Sequence, residues 1–156
     1  MAVPLRRIIS GGQTGVDRAA LDAALQAGFP CGGWCPAGRM AEDGPIPQRY
    51  PLWELPGGDY EARTLRNVMV GDGTLVVHFR SLSGGAELTV RRCRERARPY
   101  GLIDGAELTP AKAAERVRRF IDYAGIKVLN VAGPRASEAP EAYRYTLALV
   151  SELLKK

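Results

Sequence analysis

The chain alternates short, continuous apolar runs with longer segments in which apolar residues recur at i, i+3 and i+4. The first pattern suits strands buried on both faces, the second amphipathic helices. Residues 5–10 read as a strand, and residues 14–27 as a helix with the stripe Val16, Ala19, Ala20, Ala23 and Ala27. Side chains this small let a helix lie close on a sheet, and Gly28 ends the run. A helix is expected from Asp59 to just before Gly71, and a strand over 74–79, Thr-Leu-Val-Val-His-Phe. Gly84-Gly85 opens another helix to about residue 97, followed by a short strand over 99–103. Thr109-Pro110 is a capping residue with proline at the first helical position. The helix it opens carries Ala113, Val117, Phe120, Ile121 and Ala124 on one face and stops at Gly125. A strand over 127–132 and a last helix over 140–154 complete the pattern, with Lys155 and Lys156 complementing the helix dipole. No repeat, low-complexity tract or linker interrupts it. The expectation is an α/β fold: one Rossmann-like domain over residues 1–156, its mostly parallel sheet covered by helices on both faces.

Composition narrows the setting. At 156 residues, 46% hydrophobic and 25% charged, the chain is large enough for one buried core and ordinary for a globular protein. No apolar run approaches the roughly 18–20 residues of a membrane span. The first residues lack the long apolar stretch of a signal peptide. Three cysteines, an odd number, do not make a disulfide framework. A cytoplasmic protein with no membrane partner is expected. The net charge of +5, mostly from arginine, fits attraction of a small anionic ligand or of nucleic acid. The densest basic run, Arg91-Arg-Cys-Arg-Glu-Arg-Ala-Arg98, lies at helical spacing mostly on an outward face, interrupted by Glu95. It reads as a solvated face or subunit contact; no zinc-finger spacing or aromatic RNA-binding motif supports a nucleic-acid partner.

The candidate chemistry sits in loops. Gly11-Gly-Gln-Thr-Gly-Val-Asp17 joins the first strand to the first helix. Its glycines uncover backbone N–H groups, and a helix N-terminus adds donors and partial positive charge, a seat for phosphate. Thr14 is placed to cap that helix, with Asp17 three residues on in a capping-box position. Two similar connections follow other strands: 80–87, with Ser83, Gly84, Gly85 and Glu87, and 133–137, with Gly133, Pro134, Arg135 and Ser137. In an open parallel sheet all three fall at the carboxyl edge, where ligands bind. Each alone is also compatible with ordinary turn chemistry. Together they favour an anion-binding cleft, to which Arg135 contributes a bidentate grip.

The Pro- and Gly-rich stretch 30–51 is longer than a connection needs. It offers Trp34 for stacking on a ring, Arg39 or Arg49 for an anion, and Glu42 and Asp43 for a ribose hydroxyl or hydrated metal. The competing reading makes Trp34 a core plug and the charges solvated. Cys31 and Cys35 have no second close pair and read as small buried side chains, with no metal expected. His78 reads as core packing at the end of an apolar strand. Ser10, Ser81 and Ser83 lack a Gly-x-Ser-x-Gly elbow. The first loop lacks Gly-x-Gly-x-x-Gly spacing and a Walker lysine, which disfavours a standard dehydrogenase or P-loop ATPase.

Ile8-Ile-Ser-Gly-Gly-Gln-Thr-Gly-Val-Asp-Arg-Ala-Ala-Leu21, with Gly33-Trp-Cys-Pro36 and Ala41-Glu-Asp-Gly-Pro-Ile-Pro47, resembles the bacterial family called "putative molybdenum carrier". Ser83-Gly-Gly-Ala-Glu-Leu-Thr89 and Val128-Leu-Asn-Val-Ala-Gly-Pro-Arg135 match the same pattern. The resemblance implies a circularly permuted branch of a Rossmann-like superfamily that includes lysine-decarboxylase-like nucleotide phosphoribohydrolases. It implies a ligand pocket built from 11–17 and 83–89, and a homo-oligomer, commonly a dimer or tetramer. The family name implies molybdenum cofactor, a phosphorylated pterin. The phosphoribohydrolase signature Pro-Gly-Gly-x-Gly-Thr-x-x-Glu is broken here: Gly84-Gly-Ala-Glu-Leu-Thr lacks the later glycine and the glutamate in register.

The leading expectation is a binding protein for a phosphorylated heterocycle, a nucleotide or molybdenum cofactor. Gly11, Gly12, Gly15 and the other glycine loops would hold the phosphate with Thr14, Ser137 and Arg135. Trp34 would border the ring, Gln13 and Arg39 would line the pocket, and Asp17 and Arg18 would orient neighbouring groups. The alternative is a hydrolase cleaving an N-glycosidic or phosphate bond, with Glu42, Asp43 or Glu87 as acid or base.

Overall fold

The computed structural model describes residues 4–155. Residues 1–3, used above in reading the chain start, and Lys156 lie outside that range. The elements are β1 (Arg7–Ile9), α1 (Val16–Gln26), β2 (Cys31–Gly32), β3 (Trp34–Cys35), a 3-10 turn (Ala37–Arg39), β4 (Met40–Ala41), β5 (Gly44–Pro45), β6 (Trp53–Glu54) and α2 (Tyr60–Val70). They continue with β7 (Gly73–His78), α3 (Gly84–Glu95), β8 (Tyr100–Asp104), α4 (Pro110–Ala124), β9 (Val128–Ala132) and α5 (Ala142–Leu153).

Five strands form the central sheet in the order β2-β1-β9-β7-β8, every pair parallel. Counting from β9 instead of β1 turns this into 3-2-1-4-5, the strand order of the dinucleotide-binding fold. The permutation is therefore written in the topology. Crossovers between parallel strands are right-handed, so steps in opposite directions across the sheet put their helices on opposite faces. The steps β1→β2 and β8→β9 run one way and carry α1 and α4; β2→β7 and β7→β8 run the other way and carry α2 and α3. The packing agrees: α5 lies against both α1 and α4, and α2 lies against α3.

The core follows the strand pleat. On β7, Leu75 and Val77 join the large cluster with Val16, Ala20, Val117, Ile121, Leu149 and Val150 from α1, α4 and α5. Val76, between them, points the other way onto Ala86 and Val90 of α3. The small-residue stripe of α1 is buried at Val16, Ala19, Ala20 and Ala23, while Ala27, past the helix end, is exposed. Gly125 ends α4 in the left-handed conformation, φ 67°, and Thr109 caps its start by accepting from the Lys112 N–H.

Two local expectations are corrected. Residues 30–51, where no strand or helix is expected, carry short strands: β2 joins β1 in the central sheet, β3 pairs with β6, β4 with β5, and Cys35, Ala41, Ile46, Tyr50 and Leu52 bury against Leu21 of α1. Nor does Thr14 cap α1. The cap position is Gly15, at φ 81° and ψ −126°, with no side-chain bond. This backbone shape is reached almost exclusively by glycine.

Candidate functional site

The carboxyl ends of β1, β9 and β7 meet at a cleft. In the permuted count β9 and β7 are strands 1 and 4, the point where the strand order reverses and doubly wound sheets bind ligands. Of the expected residues, Gly11, Gln13, Asp17, Gly85, Gly133 and Arg135 line the cleft. All three predicted loops contribute. Gly15 shows how closely two of them approach: a Cβ there would lie 2.5 Å from the Pro134 carbonyl oxygen and 2.9 Å from the Ala136 nitrogen.

The floor is built around an ion pair. Asp17 on α1 is 4% exposed and meets the Arg63 guanidinium of α2 at 3.0 Å, with the Gln13 N–H donating to the same carboxylate oxygen at 3.2 Å. Burial pushes the Asp17 carboxyl up, and Arg63 and the Gln13 N–H hold it back. Arg63 lies over Gly11, where a Cβ would sit 1.8 Å from its Nη1. Gly11 is thus the space the arginine occupies. Gln13 is fixed in orientation, because its Oε1 accepts from the N–H groups of Thr14, at 3.0 Å, and Glu42, at 2.9 Å. Its Nε2, and the Nε of Arg63, are buried with no partner among the described residues. Two residues that line one cleft thus each leave a buried donor to be met by an acceptor.

Other expected residues serve elsewhere. The Thr14 hydroxyl donates to Glu42 and accepts from the Ala136 N–H at 3.1 Å; Ser137 donates to Glu42 through both its N–H, 3.2 Å, and its hydroxyl, 2.5 Å. Glu42 is therefore a latch across 14, 42 and 136–137. Arg18 makes a bidentate pair with Asp43, both bonds 2.8 Å, and its Nε donates to the Gly12 carbonyl. Gly12 faces Leu52 and Ile46, where a Cβ would clash at 2.5 and 2.9 Å. Gly84 leaves room for Glu138, whose Oε2 is 2.7 Å from its Cβ position. Glu87 pairs with Arg91 on the exposed side of α3 at 3.1 Å. The three carboxylates considered as acid or base are thus committed, and none lines the cleft.

Trp34 does not line the cleft either. Its ring is 5.3 Å from Trp53 and lies under the Arg66 guanidinium at 4.7 Å, and its backbone is clamped in both directions by the Asn67 side chain. Arg39, 9% exposed, spends its guanidinium on the carbonyls of Ile46, Pro47, Tyr50 and Leu52. These bonds hold it at φ 54°, in the left-handed region. Arg39→Lys is expected to destabilise the 33–55 region by about 2–3 kcal/mol, because a single ammonium cannot reach four carbonyls. Hydrogen exchange confined to those residues is the measurement. His78, expected in the core, is only partly buried and lines a hollow beside the cleft together with Ser83 and Pro134. No grouping of three or more His, Cys, Asp or Glu among the described residues is placed to hold a metal.

The latch predicts an acid response. Hydrogen bonds from Ser137 and Thr14 hold Glu42 below the usual carboxylate range, and Arg18 does the same for Asp43. Stability from such depressed groups is complete above their unfolded values, about 4, and is lost as pH falls through the lower folded ones. Melting temperature is expected to fall on acidification below about pH 4. A Glu42→Gln, Asp43→Asn variant should start lower and change less over the same range.

Thr89, inside the implied 83–89 segment, also lines the cleft, while other lining residues escape sequence reasoning: Arg63, Thr64 and Asn67 on α2, Asn130 on β9 and Glu138. Asn130 carried a signal, a lone amide inside an apolar strand; it is 3% exposed and donates to the Thr74 hydroxyl at 3.2 Å. Arg63 and Asn67, four apart on a helix, share a face.

Comparison with known proteins accounts for this arrangement. The profile of the Circularly permutated YpsA SLOG family matches residues 8–154. The chain belongs to that family. The permutation read from the strand order is thus the family's own. A crystal structure of a protein from Syntrophus aciditrophicus SB, named "Putative molybdenum carrier protein", shares the fold with a TM-score of 0.96. It is 42% identical over 99% of this chain and 98% of its own. No curated protein matches the chain. The shared architecture is the α/β, Rossmann-like fold of this SLOG branch, and no helix among the described residues is long and apolar enough to cross a membrane.

Proposed function

We propose that this chain binds a small phosphorylated heterocycle, a nucleotide or molybdenum cofactor, in the cleft at the ends of β1, β9 and β7. One observation carries the reading: Gln13 and Arg63 line that cleft, and the Nε2 of the first and the Nε of the second are buried donors with no partner among the described residues. A phosphoryl oxygen supplies the missing acceptor, and Arg135 at the rim adds charge. The name of the Syntrophus relative favours molybdenum cofactor as cargo, a phosphorylated pterin whose anionic end suits the same donors. Gly11 and Gly133 line the pocket with bare backbone; Gly12, Gly15, Thr14 and Ser137 act through the loops they hold together. Trp34, Arg39 and Arg18 support the neighbouring region rather than the ligand.

Isothermal titration with orthophosphate, a nucleotide panel and molybdenum cofactor tests this. The cleft should take one phosphorylated ligand, displaced by orthophosphate, and Gln13→Leu should weaken binding about tenfold, the worth of one charge-assisted hydrogen bond. An unchanged affinity in Gln13→Leu would remove the assignment. A homo-oligomer in the cytoplasm completes the proposal, with light scattering as its check.

A further inference from the structure

The central sheet ends in an uncovered strand. β8 is last in the strand order and, among the described residues, pairs with β7 alone. The Thr74 N–H donates to the Pro99 carbonyl and the Gly105 N–H to the His78 carbonyl, which sets Gly101 and Ile103 as the residues bonded to β7. The alternation of the strand then turns the N–H and C=O groups of Tyr100 and Leu102 outward. No bond to them comes from any other described residue. Such an edge is a template for another strand.

The surroundings select what joins it. The helices α3 and α4 flank this edge on opposite faces, and residues 84–98 and 110–124 hold nine Lys and Arg against four Asp and Glu. On one face Arg94 lies 5.7 Å from the centre of the Tyr100 ring and donates to its hydroxyl at 2.8 Å. On the other, Arg116 borders a shallow hollow formed with Gly101, Leu102 and Phe120. Gly101 keeps that hollow open, since a Cβ there would lie 3.3 Å from the Phe120 ring. Neither arginine pairs with a carboxylate among the described residues. A second copy would set like charges against each other along this edge. The phosphates of nucleic acid only accept, and would leave the outward carbonyls unmet. An acidic peptide answers both the charge and the backbone.

We propose that β8 receives an extended acidic segment of a partner protein as a sixth strand of the sheet. Its backbone pairs with Tyr100 and Leu102, an apolar side chain enters the hollow at Gly101, and carboxylates meet Arg94 and Arg116. None of these residues lines the cleft, so the surface is separate from the ligand site.

Fluorescence anisotropy of the full chain with the labelled peptide Glu-Glu-Val-Tyr-Val-Glu-Glu tests it. The same peptide N-methylated at its three central residues keeps the charge and loses the strand donors, and should bind about tenfold more weakly. The exposed charge reversals Arg94→Glu and Arg116→Glu, made together, should weaken the unmethylated peptide by about the same factor. Amide exchange followed by NMR should slow at Tyr100 and Leu102 when the peptide is added. No binding, or equal binding of the two peptides, would overturn the proposal. Displacement by oligothymidylate as effective as by unlabelled peptide would assign the surface to nucleic acid instead. Protection of the Tyr100 and Leu102 amides in the free chain that disappears on dilution would assign it to a second copy. Either result would overturn the acidic strand, and the peptide comparison in the unmodified protein does not depend on whether a variant folds.

Discussion

Replacing Gly15 by alanine is expected to destabilise the protein by about 3–5 kcal/mol and to abolish ligand binding. Two effects add. The residue sits at φ 81° and ψ −126°, a conformation that costs a residue with a β-carbon about 1–3 kcal/mol. The new methyl would also meet backbone, 2.5 Å from the Pro134 oxygen and 2.9 Å from the Ala136 nitrogen, and backbone cannot rotate away. Relief requires the 133–137 loop to move off the first loop. That motion breaks the Thr14–Ala136 and Glu42–Ser137 bonds and opens the cleft. Gly28→Ala is the control: φ is 64° there, but nothing lies within 4 Å of the Cβ position. Urea denaturation should show a loss of about 1 kcal/mol for Gly28→Ala, well below that for Gly15→Ala. Equal losses would mean that close approach of the loops contributes nothing.

Removing the Arg63 guanidinium is expected to have a comparable effect by another route. Arg63→Met strands Asp17, 4% exposed, without its counter-charge, which destabilises by about 3–5 kcal/mol. Burial already raises the Asp17 carboxyl in the intact protein. Without Arg63 it rises further. For an acid whose folded pKa lies above its unfolded value, the penalty is present at higher pH and is relieved as pH falls through the folded value. The defect of Arg63→Met should therefore shrink on acidification from neutral pH, whereas the latch carboxylates Glu42 and Asp43 lose stability only at still lower pH. The pair variant Arg63→Met, Asp17→Asn should recover much of the stability, since no buried charge is left, and still fail to bind phosphate. That split separates the arginine's part in the fold from its part in the site.

Much of this organisation was legible in the sequence. The apolar runs and helical stripes gave β1, β7, β8 and β9 and all five helices to within a few residues, because strands buried on both faces must be continuously apolar and their helices amphipathic; the edge strand β2 was missed. The three loops at the carboxyl edge were equally visible through Gly11, Gly85 and Gly133. What escaped detection was the long-range pairing of polar groups. Arg63 lies 46 positions from Asp17, and nothing local to α2 distinguishes it from Arg66, which turns outward over Trp34. Thr14 looked like a cap because hydroxyls cap helices, yet Glu42, 28 positions away, claims it. Trp34 was open to both a ligand contact and a core plug, and Arg39 was offered to an anion, because the stretch around them is longer than a connection needs. Arg39 is in fact what organises that stretch, four carbonyls at a time. The small strands β2 to β6 are two residues each, too short for any periodicity to register.

The decisive experiment is a crystal structure of the protein soaked with adenosine 5′-monophosphate. The expected result is phosphoryl density within hydrogen-bonding reach of both the Gln13 Nε2 and the Arg63 Nε. Density seated instead beside Trp34 and Arg66, or a cleft without density at a concentration that saturates binding in solution, would contradict the account.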